Sequence, residues 1–380
     1  MIGFQLGREY KLSVAEILTV FPEWKTVNLA MDFLILEWLN KEDVIKKADR
    51  LGGTIKIIEI LNSSILKESE NNEWKFKYWL STFWKKINLK KKLISIKKEL
   101  KWFWISSRFV NKDFKNLSSA QIIWEKLVNS GTDFTEINND WINYFGKTLW
   151  IQNIYAYSKR DYSKERDMQT GMLPPKLCQI MINISKWETI YDPFVWLGTV
   201  LIESINIWNT KVYWSDLNEV MVETASKNII DFSTNRWYKL EDSKVIKLNA
   251  KFINESEILL NKDIDTIITE WYLWEMMTKK NISIDRINKQ KDSLVSIYEK
   301  FFANLKKINY KWNLVICFPF WELKWIYIYF NDIYSIISRY CNIEPMFPND
   351  CKLEVTKSWS LLYKREKQLV WREIFKLKIK

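Results

Sequence analysis

Apolar and polar positions along residues 1–65 predict a small α/β unit. "MIGFQLG" reads as a short apolar strand and "FLILEWL" as a buried one. "TIKIIEI" alternates as a half-buried strand does. Between the first two, "SVAEILTVF" predicts a helix with Ser13 as N-cap and Glu16 three residues on, the spacing of a capping box. "KEDVIKKADRLGG" predicts a second helix, stopped by Gly52 and Gly53.

Residues 66–155 form a second, basic unit. "KKINLKKKLISIKKELK" reads as a helix with a solvated lysine face, the usual meaning of such a run, with RNA contact as the alternative. "FWISSRFV" follows, then an amphipathic helix opening at Leu117-Ser118-Ser119, and strand-like "TLWIQNIYAY" closes the unit. Residues 156–170 are polar and charged and read as a linker. From Gly171 the pattern changes to alternating elements. "KLCQIMINIS", "TVLIESINI" and "EVMVETASKNIIDF" predict helices, and "TIYDPF", "KVYWSD" and "DTIITE" predict strands. "YKWNLVICFPF" and "LLYKREKQLVWREIFKL" supply further strands. Strands alternating with helices imply a parallel, doubly wound sheet, so the fold class is α/β.

Composition adds charge and an anomaly. The formal charge is +12 and the pI about 9.2, which favours a polyanionic partner. There is no His, so no His-based triad, imidazole shuttle or His-ligated zinc is possible. Cys178, Cys317, Cys341 and Cys351 form no CxxC pair and suit packing. No apolar run is long enough to span a bilayer and no signal pattern opens the chain, so a soluble, cytoplasmic protein is expected. The anomaly is 22 Trp beside 8 Gly. Ordinary chains carry roughly 7% Gly and little Trp. Either Trp serves cores and base stacking, or UGA codons meaning glycine have been read as tryptophan. "EWYLWE", "PFWELKW" and "YKWNLV" put Trp at polar turn sites without helical or strand period, which favours the second reading. Trp150, in an apolar strand, suits a genuine Trp.

The strongest chemical signal is Asp192-Pro193-Phe194-Val195-Trp196-Leu197-Gly198-Thr199, at a strand end opening a helix. Doubly wound sheets bind ligands at the carboxyl ends of their strands. The first strand–helix turn favours residues without a Cβ, and Trp196 stands where glycine suits. Asp216 ends the next strand, where an acidic side chain accepts from ribose hydroxyls. Asn249 follows the strand after that and suits an adenine amino group, or a plain turn. Glu270, the Thr269 and Glu270 carbonyls, and Tyr272 form a set that can draw on an amine proton and hold a flipped base.

These motifs resemble the tRNA (guanine-10)-N2 methyltransferase family and its bacterial relatives. The residues that carry the likeness are "GMLPPKLCQIMIN", "DPFVWLGTVLIE", "VYWSDLN", "TEWYLWE" and "LLYKREKQLVWREI". "LGREYKLSVAEI", "SSRFVNKDFKNLSSAQI" and "SKRDYSKERD" resemble the same family's RNA-binding half. The resemblance implies a ferredoxin-like unit over residues 1–65, a THUMP-like domain over 66–155, a linker over 156–170 and a Rossmann-like methyltransferase domain over 171–380. It implies S-adenosylmethionine held by Asp192, Pro193, Phe194, Trp196, Gly198 and Thr199, with Asp216 on its ribose and Asn249 on its adenine. Met172 and Pro174 belong to the loop closing on its methionine part, and Thr269, Glu270 and Tyr272 carry catalysis. Relatives have glycine at the positions of Trp196, Trp214, Trp274 and Trp371. They also have Pro where Trp271 stands, and the acceptor loop here is one residue shorter than Asp-Pro-Pro-Tyr. Either Thr269 or Glu270 therefore matches the acidic position.

The implied partner is tRNA or another structured RNA, with no metal and no membrane, acting as a monomer or weak homo-oligomer. Arg108 and Arg160 join the lysine run as candidate RNA contacts. Two alternatives stand beside this reading: a DNA adenine or cytosine amino methyltransferase, and a non-catalytic RNA-binding protein with a decayed site.

Overall fold

The computed structural model describes all residues except 31, 71–74, 86, 112, 139–142, 163–172, 187, 262, 271–276, 278–280, 349–350, 352 and 366–367. The chain divides into two compact units. The first comprises Met1–Tyr10, Phe21–Asp49 and Thr54–Lys159, and the second Lys11–Val20, Arg50–Gly53 and Arg160–Lys380.

The first unit is built on eight strands: β1 (Ile2–Leu6), β2 (Lys25–Leu29), β3 (Phe33–Glu37), β4 (Thr54–Leu61), β5 (Phe76–Trp84), β6 (Ser107–Phe109), β7 (Asp133–Asn138) and β8 (Asn143–Ile151). They form one sheet in the order β2-β3-β1-β4-β8-β7-β5-β6. Tyr78, Trp79, Leu80 and Phe134 share a buried core with Leu89, Leu93 and Leu100 of the helix Leu89–Trp102. Each such leucine contributes about 1.5–3 kcal/mol on full burial. Inside the sheet, Lys56 Nζ meets Asp133 Oδ2 at 2.6 Å, so neither charge is buried alone.

Two details differ from the expected pattern. The helix opening at Ser118 has its capping box with Gln121 but spans only Ser119–Trp124 before turning. "TLWIQNIYAY" is strand only to Ile151, and a helix starts at Ile154.

The second unit contains β9 (Ile190–Asp192), β10 (Lys211–Asp216), β11 (Asp242–Lys247), β12 (Thr266–Glu270), β13 (Asn313–Leu323), β14 (Ile326–Ile328), β15 (Cys341–Ile343), β16 (Leu361–Tyr363) and β17 (Val370–Ile379). The main order is β11-β10-β9-β12-β13-β17-β15. The first five pair in parallel, as the strand–helix alternation predicts, and β17 runs antiparallel to β13. The core joins Tyr191, Ile267, Leu314, Ile316 and Phe318 of the sheet to Phe301, Phe302 and Leu305 of the helix Ile284–Lys307.

The first predicted helix also belongs to this unit, and here the capping-box expectation fails. The helix runs Tyr10–Val20, so Ser13 and Glu16 lie inside it and are buried. Glu16 instead accepts from the backbone N–H of Gly52 and Gly53, each at 2.8 Å, and from Asn183 Nδ2 at 2.7 Å. Ser13 Oγ donates to Gly53 O at 2.8 Å. Those backbone groups are buried, and an unpaired one costs about 1–3 kcal/mol. Burial pushes the Glu16 carboxyl up to about 7, against the pull of these donors. Gly52 is required by close approach: a Cβ there would lie 2.2 Å from Lys176 O.

Candidate active site

β9 is the first strand of its sheet in chain order, with β10 on one side and β12 on the other. The strand order therefore reverses between β9 and β12, the switch point at which such sheets bind ligands. Asp192, Asp216 and Glu270 end β9, β10 and β12 respectively, so three carboxylates stand at one edge.

The loop after β9 is shaped by its backbone. Gly198 has φ +79° and opens the helix Thr199–Asn206 with no side-chain cap. A Cβ on it would come within 3.2 Å of Ile229, so glycine meets both demands there. Trp196 has φ +50°, the left-handed region that disfavours residues with a Cβ. The loop is pinned from outside. Trp196 N–H donates to Asp216 Oδ2 at 3.2 Å, Val195 N–H to Ser215 O at 3.1 Å, and Asn228 Nδ2 to Leu197 O at 3.1 Å.

Asp192 is buried, with Oδ1 accepting from Thr269 Oγ1 at 2.6 Å and from Phe194 N–H at 3.1 Å. Burial raises its pKa to about 7; Thr269 and Phe194 oppose the rise, and the charges of Asp216 and Glu270 add to it. Burial also raises Asp216, against backbone donors that include Asn218 and Trp196. Glu270 is raised by burial and pulled down by Arg372, whose Nε donates to Glu270 Oε1 at 2.5 Å.

The structure thus brings Asp192, Asp216, Thr269 and Glu270 to one strand edge. Pro193, Phe194, Trp196, Gly198 and Thr199 follow in the adjoining loop. Phe194 packs its ring 6.0 Å from that of Phe301. Asn249 follows β11, where its Oδ1 accepts from Lys251 N–H at 3.0 Å, the turn role that competes with adenine contact. Pro174 precedes the helix Pro175–Ser185. Met172, Tyr272, Trp271 and Trp274 lie outside the described residues. Arg372 was not foreseen as a site residue, since it is distant from Glu270 in sequence and only the sheet register joins them.

Arg160 is a correction. It is buried and its Nε meets Glu203 Oε1 at 2.7 Å, so it is structural and does not face RNA. Arg108 is exposed on β6. Trp214 lies in β10, buried, with Nε1 donating to Ser226 Oγ at 3.3 Å. Among the described residues, eight of the thirteen non-glycine positions with positive φ are Trp. No group of three His, Cys, Asp or Glu among the described residues is placed to hold a metal ion. No described helix is long and apolar enough to cross a membrane.

No protein-family model and no curated protein matches the chain. The fold is similar to that of TrmN from Thermus thermophilus, with a TM-score of 0.51 and 11% identity, covering 100% of this chain and 99% of that one. An rRNA methylase from Streptococcus thermophilus aligns with 55% of this chain and 98% of its own at 12% identity, with a TM-score of 0.32. Precorrin-6y C5,15-methyltransferase from Geobacter metallireducens aligns with 58% of this chain and 95% of its own at 10% identity, also with a TM-score of 0.32. Of these three, the full-length likeness to TrmN is the one that compares folds. It agrees with the expected class, a doubly wound Rossmann-like sheet preceded by an α+β half.

Proposed function

We propose that the chain is an S-adenosylmethionine-dependent RNA methyltransferase acting on the exocyclic amine of a guanine, with tRNA as its substrate. The observation that carries the reading is the meeting of Asp192, Asp216 and Glu270 at the switch point, beside the uncapped helix start at Gly198. The motif order that resembles the guanine-N2 family supports it.

The donors and acceptors fit the cofactor. Asp216 offers carboxylate oxygens suited to ribose hydroxyls, and glycine at 198 lets the left-handed turn of the loop pack directly against Ile229. When bound, the cofactor supplies an electrophilic methyl on a sulfonium. The chain's own part is to hold the amine in line and accept its proton. An exocyclic amine conjugated with its ring is a weak nucleophile, so a positioned acceptor is the main chemical need. Residues 1–155 are assigned to RNA binding through phosphates and shape, apart from Lys11–Val20 and Arg50–Gly53, which belong to the second unit, and residues 171–380 to catalysis. A cytoplasmic monomer or weak homo-oligomer belongs to the same reading.

The test is methyl transfer to unmodified tRNA and to DNA, read by nucleoside mass spectrometry. N2-methylated guanosine is expected. Methylated adenine or cytosine in DNA would move the assignment to a DNA amino methyltransferase. No transfer, from this chain or from one with glycine at Trp196, would leave an RNA-binding protein with a decayed site.

A further inference from the structure

Thr269 and Glu270 both stand where the amine acceptor is needed, and the structure separates them. Thr269 is fully buried and its hydroxyl is committed to Asp192 at 2.6 Å. Glu270 keeps partial exposure, its side chain being 14% accessible. Its Oε1 is taken by Arg372, while Oε2 accepts no hydrogen bond from any described residue. Arg372 is itself buried, at 3% side-chain exposure, and lies on β17, two strands from Glu270 across β13. The register sets this reach: Glu270 pairs with Cys317, and Arg372 pairs with Pro319 on the same β13 strand.

We infer that Arg372 is a positioning residue, gripping one oxygen of Glu270 so that the other is presented to the substrate amine as its acceptor. The inference rests on the function proposed above, and it assigns the side-chain acceptor role to Glu270 and not to the Thr269 hydroxyl. A guanidinium suits the task, because it stays charged and its planar donors fix a carboxylate in orientation as well as in charge.

The groups that face Glu270 come from four elements. Arg372 on β17 favours its ionised form, while Asp192 on β9, Cys317 on β13 and Tyr298 on the helix Ile284–Lys307 each gain a raised pKa in part from its charge. Burial works against ionisation, and Arg372 is the cation that counters it. Removing it leaves the carboxylate protonated to higher pH. Methyl transfer needs the free oxygen as an acceptor, so its rate should rise with pH through the Glu270 titration.

The experiment uses the full chain with Arg372→Met and Arg372→Lys. Carboxyl 13C NMR of glutamate-labelled protein follows Glu270 directly, with Glu270→Gln assigning the signal and no cofactor or RNA required. For Arg372→Met the midpoint should rise by about 1–3 pH units. The rising limb of kcat against pH on tRNA should move with it, while KM for tRNA stays within about twofold of wild type. Arg372→Lys should keep most of the titration but lose at least about tenfold in kcat, since charge is retained and orientation is not. If Arg372→Met does not fold, Arg372→Lys carries the test through that split between titration and kcat. An unchanged Glu270 midpoint in Arg372→Met, or an unchanged kcat in Arg372→Lys, overturns the inference. An unsubstituted chain that methylates no RNA overturns the function instead, and the NMR titration still decides the clamp.

Discussion

The hydroxyl of Thr269 donates to Oδ1 of Asp192 across 2.6 Å, joining the carboxyl ends of two neighbouring parallel strands. The bond crosses the point where the strand order reverses, so it ties the end of β9 to the end of β12. Both oxygens are buried, and neither can trade the bond for water without opening the edge.

Thr269→Val keeps the side-chain shape and deletes the donor. Asp192 then loses a partner that lowers its pKa. The expected cost is about 1–3 kcal/mol in stability, read from the denaturant midpoint at constant slope. S-adenosylmethionine affinity should fall with it. A variant with the wild-type midpoint and affinity would show that the bond carries neither.

Asp192 sets a pH dependence of known sign. Its folded pKa of about 7 exceeds the ordinary 3.8, so between these values the folded state holds a proton that the unfolded chain has released. Stability is therefore fullest below the lower value and declines as pH rises through the window, at up to about 1.4 kcal/mol per pH unit. Glu16, raised to about 7 by burial, acts in the same direction. Asp192→Asn should make the profile shallower and stabilise the chain at pH 8 relative to wild type. Parallel stability profiles for the two proteins from pH 4 to 8 would refute the shift.

The tryptophans at left-handed backbone make a separate prediction. Trp38, Trp84, Trp104, Trp196, Trp208, Trp237, Trp325 and Trp359 all have φ between 50° and 77°. Trp104, Trp237 and Trp325 are at least 90% exposed, so at these positions the indole gains little from packing. A Cβ in that region costs about 1–2 kcal/mol per residue. Trp→Gly at the exposed sites should therefore raise the melting temperature, and Trp196→Gly should also tighten S-adenosylmethionine binding. If the glycine reading is right, the gene carries UGA at Trp196, Trp214, Trp274 and Trp371. UGG at those codons would sink it.

The basic residues divide into two kinds that one binding experiment separates. Arg160 is paired with Glu203 in the interior, so Arg160→Met should cost about 3–5 kcal/mol by removing the cation of a buried ion pair. It should not change the salt dependence of RNA binding. Lys91 and Lys98 are exposed on the helix Leu89–Trp102. Lys91→Glu and Lys98→Glu should leave stability within about 0.5 kcal/mol and flatten the slope of log affinity against log salt. An unchanged slope would remove this helix from the RNA contact.

What the sequence determined by itself was the alternation of elements and the place of the strand ends. Hydrophobic period is a local property, so the parallel strands and the loop from Asp192 to Thr199 were legible before any contact was known. So were Asp216 and Glu270, because a carboxylate ending a strand keeps that position in any doubly wound sheet. The tertiary structure decided which groups face one another. Ser13 and Glu16 fit a helix start in sequence, yet distant backbone at Gly52 and Gly53 draws them into a helix interior. Arg160 read as a surface cation until Glu203 paired with it. Arg372 had no local signal at all, since its partner is reached only across the strand between them. Burial makes these pairings obligatory, because a charge or amide removed from water must find its partner wherever the fold supplies one.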